Sequence, residues 1–169
     1  MPLRTELNIR LKPALSKVVG GHTLVLTPEF SRLLTMLTGV VIDQADKLYY
    51  DKPTIAGSTT LTLDWATGGG LVDVHGDALA LARLKLLIVN SDLAVCPNVI
   101  NVVRPASNGT PIFLAAGDGM PVRPGGGLLW WAPDATGVVV TAATGDLTDF
   151  VNTAAGNVQP DIYAIGASA

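Results

Sequence analysis

Few residues in this chain could do chemistry. Asp73-Val74-His75-Gly76-Asp77 sets two carboxylates around an imidazole, with a glycine that permits a tight turn. Those are metal-ligating side chains, but three ligands are too few on their own. Zinc sites use three or four N or S donors, and calcium needs six or more oxygens. The other histidine, His22, is distant in sequence. The cluster therefore reads as a polar turn, and Asp43 with Asp46 reads the same way. Gly68 to Gly70 and Gly125 to Gly127 could cradle an anion with backbone N–H groups. Neither has the strand-then-helix setting that makes a phosphate loop specific, so both read as turns. Cys96, the lone cysteine, lies between Val95 and Pro97. A catalytic thiol wants a histidine partner and a thiolate-favouring site; this one reads as buried and inert. G-x-S-x-G, the Walker loop, H-E-x-x-H and C-x-x-C are all absent. Paired carboxylates for glycoside chemistry must face each other across a cleft, and the 14 acidic residues lie mostly in turns. The expectation is a protein that is not an enzyme, with no catalytic, cofactor or metal residues.

What remains is contact chemistry. Val122 to Asp134 reads V-R-P-G-G-G-L-L-W-W-A-P-D and holds two of the three tryptophans, in a chain with 5% aromatics. Large rings bury the most apolar area per residue, so this strand is expected to anchor the core or an interface. Neighbouring residues in a strand face opposite sides. One of Trp130 and Trp131 should enter the core, and the other should meet a second layer, a partner or water. The turn of Arg123, Pro124 and three glycines is expected to launch a central strand that ends near an edge at Ala132-Pro133.

Composition narrows the class. At 169 residues the chain is most simply one domain with a real core. Hydrophobic residues make up 49% and mean hydropathy is +0.42, which excludes a disordered chain. Charged residues are only 15%, against about 25% in ordinary soluble domains. Few charges with 18 glycines and 11 prolines suit an all-β domain whose surface is partly covered by neighbours. The net charge is −3 and no basic block appears, so no nucleic-acid groove is expected. The apolar runs fall far short of the roughly 18 residues that span a bilayer, and no signal-peptide pattern opens the chain. Synthesis in a cytoplasm without membrane insertion is expected.

The elements that must position these residues read as strands. In Glu6 to Lys12, Leu7, Ile9 and Leu11 share one face and charged or polar residues the other, the pattern of a half-buried strand. It could pair within the domain or reach a neighbour as an arm. Gly20-Gly21 marks a turn. Phe30 to Leu37 has helical spacing, yet its threonine and β-rich surroundings favour a strand. Further strands are expected at His22–Thr27, Leu48–Tyr50, Ser58–Trp65, Leu79–Asn90, Val99–Arg104, Pro111–Ala115, Gly127–Ala132, Gly137–Ala142, Leu147–Asn152 and Val158–Ile165. Leu84, Leu86 and Ile88 are read as one face opposite Arg83 and Lys85. Strands every 8 to 15 residues with turn signals between them indicate an all-β antiparallel sandwich or barrel. Residues 1–21 are assigned to an N-terminal strand or arm and 22–169 to a single β-sandwich domain.

Several segments, in order, look like a family of small tailed-phage virion proteins. They are Asp43 to Asp51 (D-Q-A-D-K-L-Y-Y-D), Thr60 to Asp64 with Gly70-Leu71, Leu81 to Asn90, Val122 to Pro133, and Asp161 to Gly166 (D-I-Y-A-I-G). The chain departs from that pattern at Lys52-Pro53 and at the double tryptophan. The resemblance is to jelly-roll-like β-sandwich cement or decoration proteins of phage capsids. It implies a structural protein of the virion, synthesised in the host cytoplasm, that sits on the outer capsid lattice and bridges capsomers. The implied partners are the major capsid protein and itself, as a trimer by analogy. Interfaces favour aromatic anchors and disfavour charge. The expected contact residues are Leu7, Ile9, Leu11, Tyr49, Tyr50, Trp130 and Trp131, with one of the two tyrosines in the core and one on the surface as the plainer alternative. The competing reading is a carbohydrate- or receptor-binding module of a tail or head fibre, using an exposed tryptophan with Asp134.

Overall fold

The computed structural model describes residues 3–19, 22–66 and 70–169; the turns expected at Gly20-Gly21 and Gly68-Gly69 lie outside them. The protein is all-β, with no helix among the described residues. Two antiparallel sheets pack face to face. One has the order β10 (Gly127–Trp131), β7 (Arg83–Asn90), β13 (Asp161–Ala167), β5 (Lys47–Asp51), with the short β11 (Val138–Val139) continuing β10 along β7. The other has the order β6 (Thr59–Asp64), β12 (Leu147–Asn152), β8 (Ile100–Val103), β9 (Gly119–Val122). The first strand of the sandwich pairs with the last, β5 with β13, and the second with the last but one, β6 with β12. That nesting is the strand order of a jelly roll.

Alternation builds the core between the sheets. Leu63 and Trp65 come from β6 and its end, Leu84, Leu87 and Val89 from β7, Ile100 and Val102 from β8, and Ile162 and Ala164 from β13; all are buried in one cluster. Strand β12 is different. Its inward residues are Thr148, Phe150 and Asn152, two of them polar, and all three are buried. Both polar groups find partners, as buried polar groups must. The Trp65 indole N–H donates to Thr148 Oγ1 at 2.9 Å. The Asn152 amide nitrogen faces the carbonyls of Ile55, Ala56 and Gly156 at 3.3, 3.1 and 2.8 Å.

Strand β7 does not keep a single parity. Leu84, Leu87 and Val89 face the inter-sheet core, whereas Leu86 and Ile88 face outward. The register against β13 slips where Ile165 pairs with Leu86 and Gly166 with Leu84, leaving Lys85 as the extra residue of a β-bulge. A Cβ on Gly166 would lie 2.2 Å from Arg83 O, so the bulge requires glycine there. The expected shared face of Leu84, Leu86 and Ile88 is corrected accordingly. Lys85 is fully buried, and its ammonium donates to Val41 O and Gln44 O. Burial lowers its pKa. The two contacts tie the 37–46 loop to the sheet.

Residues 5–36 form a nested antiparallel ribbon. β1 (Thr5–Leu11) pairs with β4 (Phe30–Met36), and between them β2 (Leu15–Val19) pairs with β3 (His22–Leu26). A boundary at 21/22 therefore falls between two paired strands, and β3 and β4 go with the N-terminal strand. Phe30–Met36 is a strand, as its surroundings suggested. Pro13 and Pro28 lie in the breaks between the two ladders, where no N–H is needed for pairing. Pro111–Ala115 is not a strand. Arg104 Nη1 donates to Phe113 O and Leu114 O, and Asp118 accepts from Ala115 N, which folds the segment into a turn. The strand comes later as β9, an edge strand that tolerates Pro121 because it pairs only with β8.

Candidate interaction surface

The acidic and glycine turns weighed for metal or anion binding make hydrogen bonds within the chain. Asp73 Oδ1 accepts from His75 N at 2.8 Å and Asp77 N at 3.0 Å, around Gly76 at φ 86°. The His75 N–H is the main reason the Asp73 carboxyl is held below its usual range. Asp46 accepts from both the N–H and the hydroxyl of Ser168. Asp46, Asp73, His75 and Asp77 do line one cleft of about 430 Å³. Among the described residues no three His, Cys, Asp or Glu side chains are placed to hold a metal. At the other glycine turn, Gly125 N donates to Ser91 O and Gly126 N to Arg123 O, so those N–H groups are committed to the turn. Cys96 is buried, and burial pushes its thiol pKa up.

The contact candidates divide by strand parity. Trp130 packs against the inter-sheet core beside Leu128, while Trp131 faces outward and is 39% exposed. Their strand β10 is at an edge of its sheet, not at its centre; the centre of the core is held by Trp65, which is fully buried. Tyr49 takes the core position of the two tyrosines. Its ring is 4% exposed and meets Trp65 edge-on at 5.5 Å and 81°, so it has no face to offer a partner. Burial, with the Asp51 charge adding to it, raises the Tyr49 pKa well above its ordinary value of 10.0. A raised phenol pKa in the fold contributes stability that is intact below pH 10 and lost as pH rises toward the folded value. Tyr49→Phe should therefore flatten the alkaline fall in stability, at a cost near neutral pH of about 0.5–1.5 kcal/mol for the Asp51 hydrogen bond. Urea titrations at successive pH values measure both; an unchanged alkaline slope would contradict the assignment.

Tyr50 lies on the opposite face, 42% exposed, stacked on Tyr163 with centroids 4.5 Å apart. The two are cross-strand partners on β5 and β13. Following the pairing outward gives a continuous row across all four long strands: Tyr50, Tyr163, Ile88, Leu129. The next row is Leu48, Ile165, Leu86, Trp131. On the other side Lys52, Asp161 and Asn90 form a polar border: Asp161 accepts from Tyr50 and Asn90 at 3.3 Å and pairs with Lys52 at 3.5 Å. The outer face of this sheet is thus apolar over two rows.

The base of the ribbon covers part of that face. Leu34 and Met36 are buried against Leu86 and Ile165, with Leu3, Leu7, Leu48, Ile88 and Leu129 around them. Leu7 is therefore used within the chain. Farther along the same face of the ribbon, Ile9 is half-buried, and Leu11 and its partner Phe30 are 60% and 53% exposed. Val18, Val25 and Leu33 are exposed as well. Among the described residues, β2 and β3 make no extended contact with any strand but each other. The ribbon also carries an unequal charge. The first 36 residues hold five of the eleven Lys and Arg but two of the fourteen Asp and Glu, for +3; the remainder carries −6. Sequence reasoning that looked only for a basic block missed this asymmetry, and it missed Tyr163, Ile88 and Leu129. The charge count alone could have exposed the first. The second needed strand pairing. No family model matches this chain, and no curated protein or solved structure matches it either.

Proposed function

We propose that this chain is a structural protein of a phage virion that cements the outer capsid lattice by bridging capsomers, with the major capsid protein as its partner. The observation that carries the reading is the ribbon of residues 5–36, which exposes Leu11, Val18, Val25, Phe30 and Leu33 away from the sandwich core. A two-stranded ribbon is marginal by itself in water, and apolar surface of this kind marks a contact site. The jelly roll is shared by viral capsid and lectin domains, which supports the class without selecting the role. The sheet face beside Tyr50 and Tyr163 offers a second broad contact surface, as a bridging protein needs.

The alternative is a carbohydrate-binding module, favoured by the exposed Tyr50–Tyr163 pair next to Asp161 and Asn90. Asp134, the carboxylate first paired with the tryptophans, already accepts from Thr136 N and Gly137 N. Quantitative mass spectrometry of separated heads and tails tests the first reading. Recovery with heads, in copy numbers tied to the lattice, is the expected result. Recovery with tails alone would overturn it, and glycan-array binding with no affinity for capsids would favour the alternative.

A further inference from the structure

We propose that the distal ribbon of one copy docks on the outer sheet face of a second copy, along the Leu129–Ile88–Tyr163–Tyr50 row. The ribbon's own base shows what this face accepts. Leu7, Leu34 and Met36 already pack beside that row, and a groove of about 320 Å³ runs between β1 and the sheet, lined by Leu3, Leu7, Leu86, Ile88, Tyr163 and Ile165. The same ribbon face continues as Ile9, Leu11 and Phe30, and the last two are exposed.

Charge selects a second copy as the occupant. Residues 5–36 carry +2 and the residues after them −6, so like surfaces repel and unlike ones attract. Glu29 already pairs with Arg10 at 2.9 Å and lies 3.9 Å from Lys12. Among the described residues, Lys17 and Arg32 have no ion-pair partner in their own chain. Asp161 borders the receiving row. Ribbon-to-body docking is head-to-tail, so it closes into a ring or runs on as a chain. The proposal deepens the contact-protein reading, but it concerns the free chain and is tested without capsids.

The full chain is followed by sedimentation at about 50 mM and about 500 mM salt, where screening differs strongly. Self-association that weakens with salt is expected. One variant, Leu11→Glu with Phe30→Glu, spoils the ribbon; another, Tyr50→Glu with Tyr163→Glu, spoils the face. Each alone should lose affinity by at least about tenfold. Mixed, they retain one good ribbon and one good face between them and should form one-to-one pairs. A second measurement does not depend on those charges: Phe30→Cys mixed with Tyr163→Cys should cross-link between copies, because Cys96 is buried and does not compete. A wild-type chain that stays monomeric, variants that associate like wild type, or a mixture that neither pairs nor cross-links would overturn the proposal. A monomer that binds capsids would overturn it while leaving the capsid reading in place. In a chain carrying both Phe30→Cys and Tyr163→Cys, cross-linking within one chain, with none between copies, would assign the face to the chain's own ribbon and overturn it too.

Discussion

Trp65→Ala is expected to lower the stability of the domain by about 3–5 kcal/mol, the range for emptying a large aromatic site in a packed core. Trp65 is fully buried, sits edge-on to Tyr49 at 5.5 Å and gives its N–H to Thr148 Oγ1 at 2.9 Å. Removing it leaves three deficits in one place. The cavity lies between the two sheets, the Tyr49 ring loses its neighbour, and the buried Thr148 hydroxyl loses its donor. Trp65→Phe separates them. It keeps much of the ring volume but removes the N–H and part of the indole, so it should cost less than alanine, about 1–3 kcal/mol. Trp130→Ala should fall below Trp65→Ala, because Trp130 packs against the core from an edge strand and stays partly exposed. Chemical denaturation of the three variants gives the order. A Trp130 loss larger than the Trp65 loss would mean that β10, and not the end of β6, anchors the core.

That comparison also marks what could be read from the residues. Pattern and turn residues were enough for an all-β antiparallel sandwich, since T-T-L-T-L-D over Thr59–Asp64 and the alternation over Thr5–Leu11 became β6 and β1. The pair Trp130-Trp131 looked like the anchor because two large rings are adjacent. A single Trp65 outweighs them because it is enclosed by both sheets, and enclosure is a tertiary property. β12 shows the limit most clearly. Its apolar Leu147 and Val151 are only half-buried, and Thr148 and Asn152 take the inside positions with Phe150. Hydropathy assigns that strand the wrong inner face, because the partners that satisfy Thr148 and Asn152 are 83 and up to 97 residues away in sequence. The bulge at Lys85 is similar: one extra residue changes parity, and only pairing with β13 reveals it. The interaction surface was half legible. Tyr50 and the apolar face of β1 carry their own signal, whereas the row joining Tyr50, Tyr163, Ile88 and Leu129 exists only once β5, β13, β7 and β10 lie side by side.

Asn152 carries the second large effect, and its sign with pH is its diagnostic. The amide nitrogen faces three carbonyl oxygens, and Oδ1 accepts from Ala154 N at 3.2 Å. It thereby joins the 55–57 segment to the 154–156 turn, where the fit is tight enough that a Cβ on Gly57 would lie 1.9 Å from Ala155 O. Asn152→Ala should cost about 2–4 kcal/mol, from several hydrogen bonds at about 0.5–1.5 kcal/mol each and carbonyls left without a donor. Asn152→Asp keeps the shape and the acceptor but turns an oxygen toward those carbonyls. A buried carboxylate there meets carbonyl oxygens where the amide N–H groups stood, so the aspartate variant should be the less stable of the two at pH 7. Burial and the carbonyl dipoles raise the carboxyl's folded pKa above its unfolded value of about 3.9. The protonated acid then bonds in the fold, and its contribution is fully present below the unfolded pKa and lost as pH rises through the folded one. Measured as a difference from wild type at each pH, so that other acid effects cancel, the aspartate variant should recover stability toward acid while the alanine variant stays parallel to wild type. An aspartate variant equal to wild type at pH 7 would mean that this amide nitrogen does not face the carbonyls, and that the loops at this end of the sandwich are joined by something else.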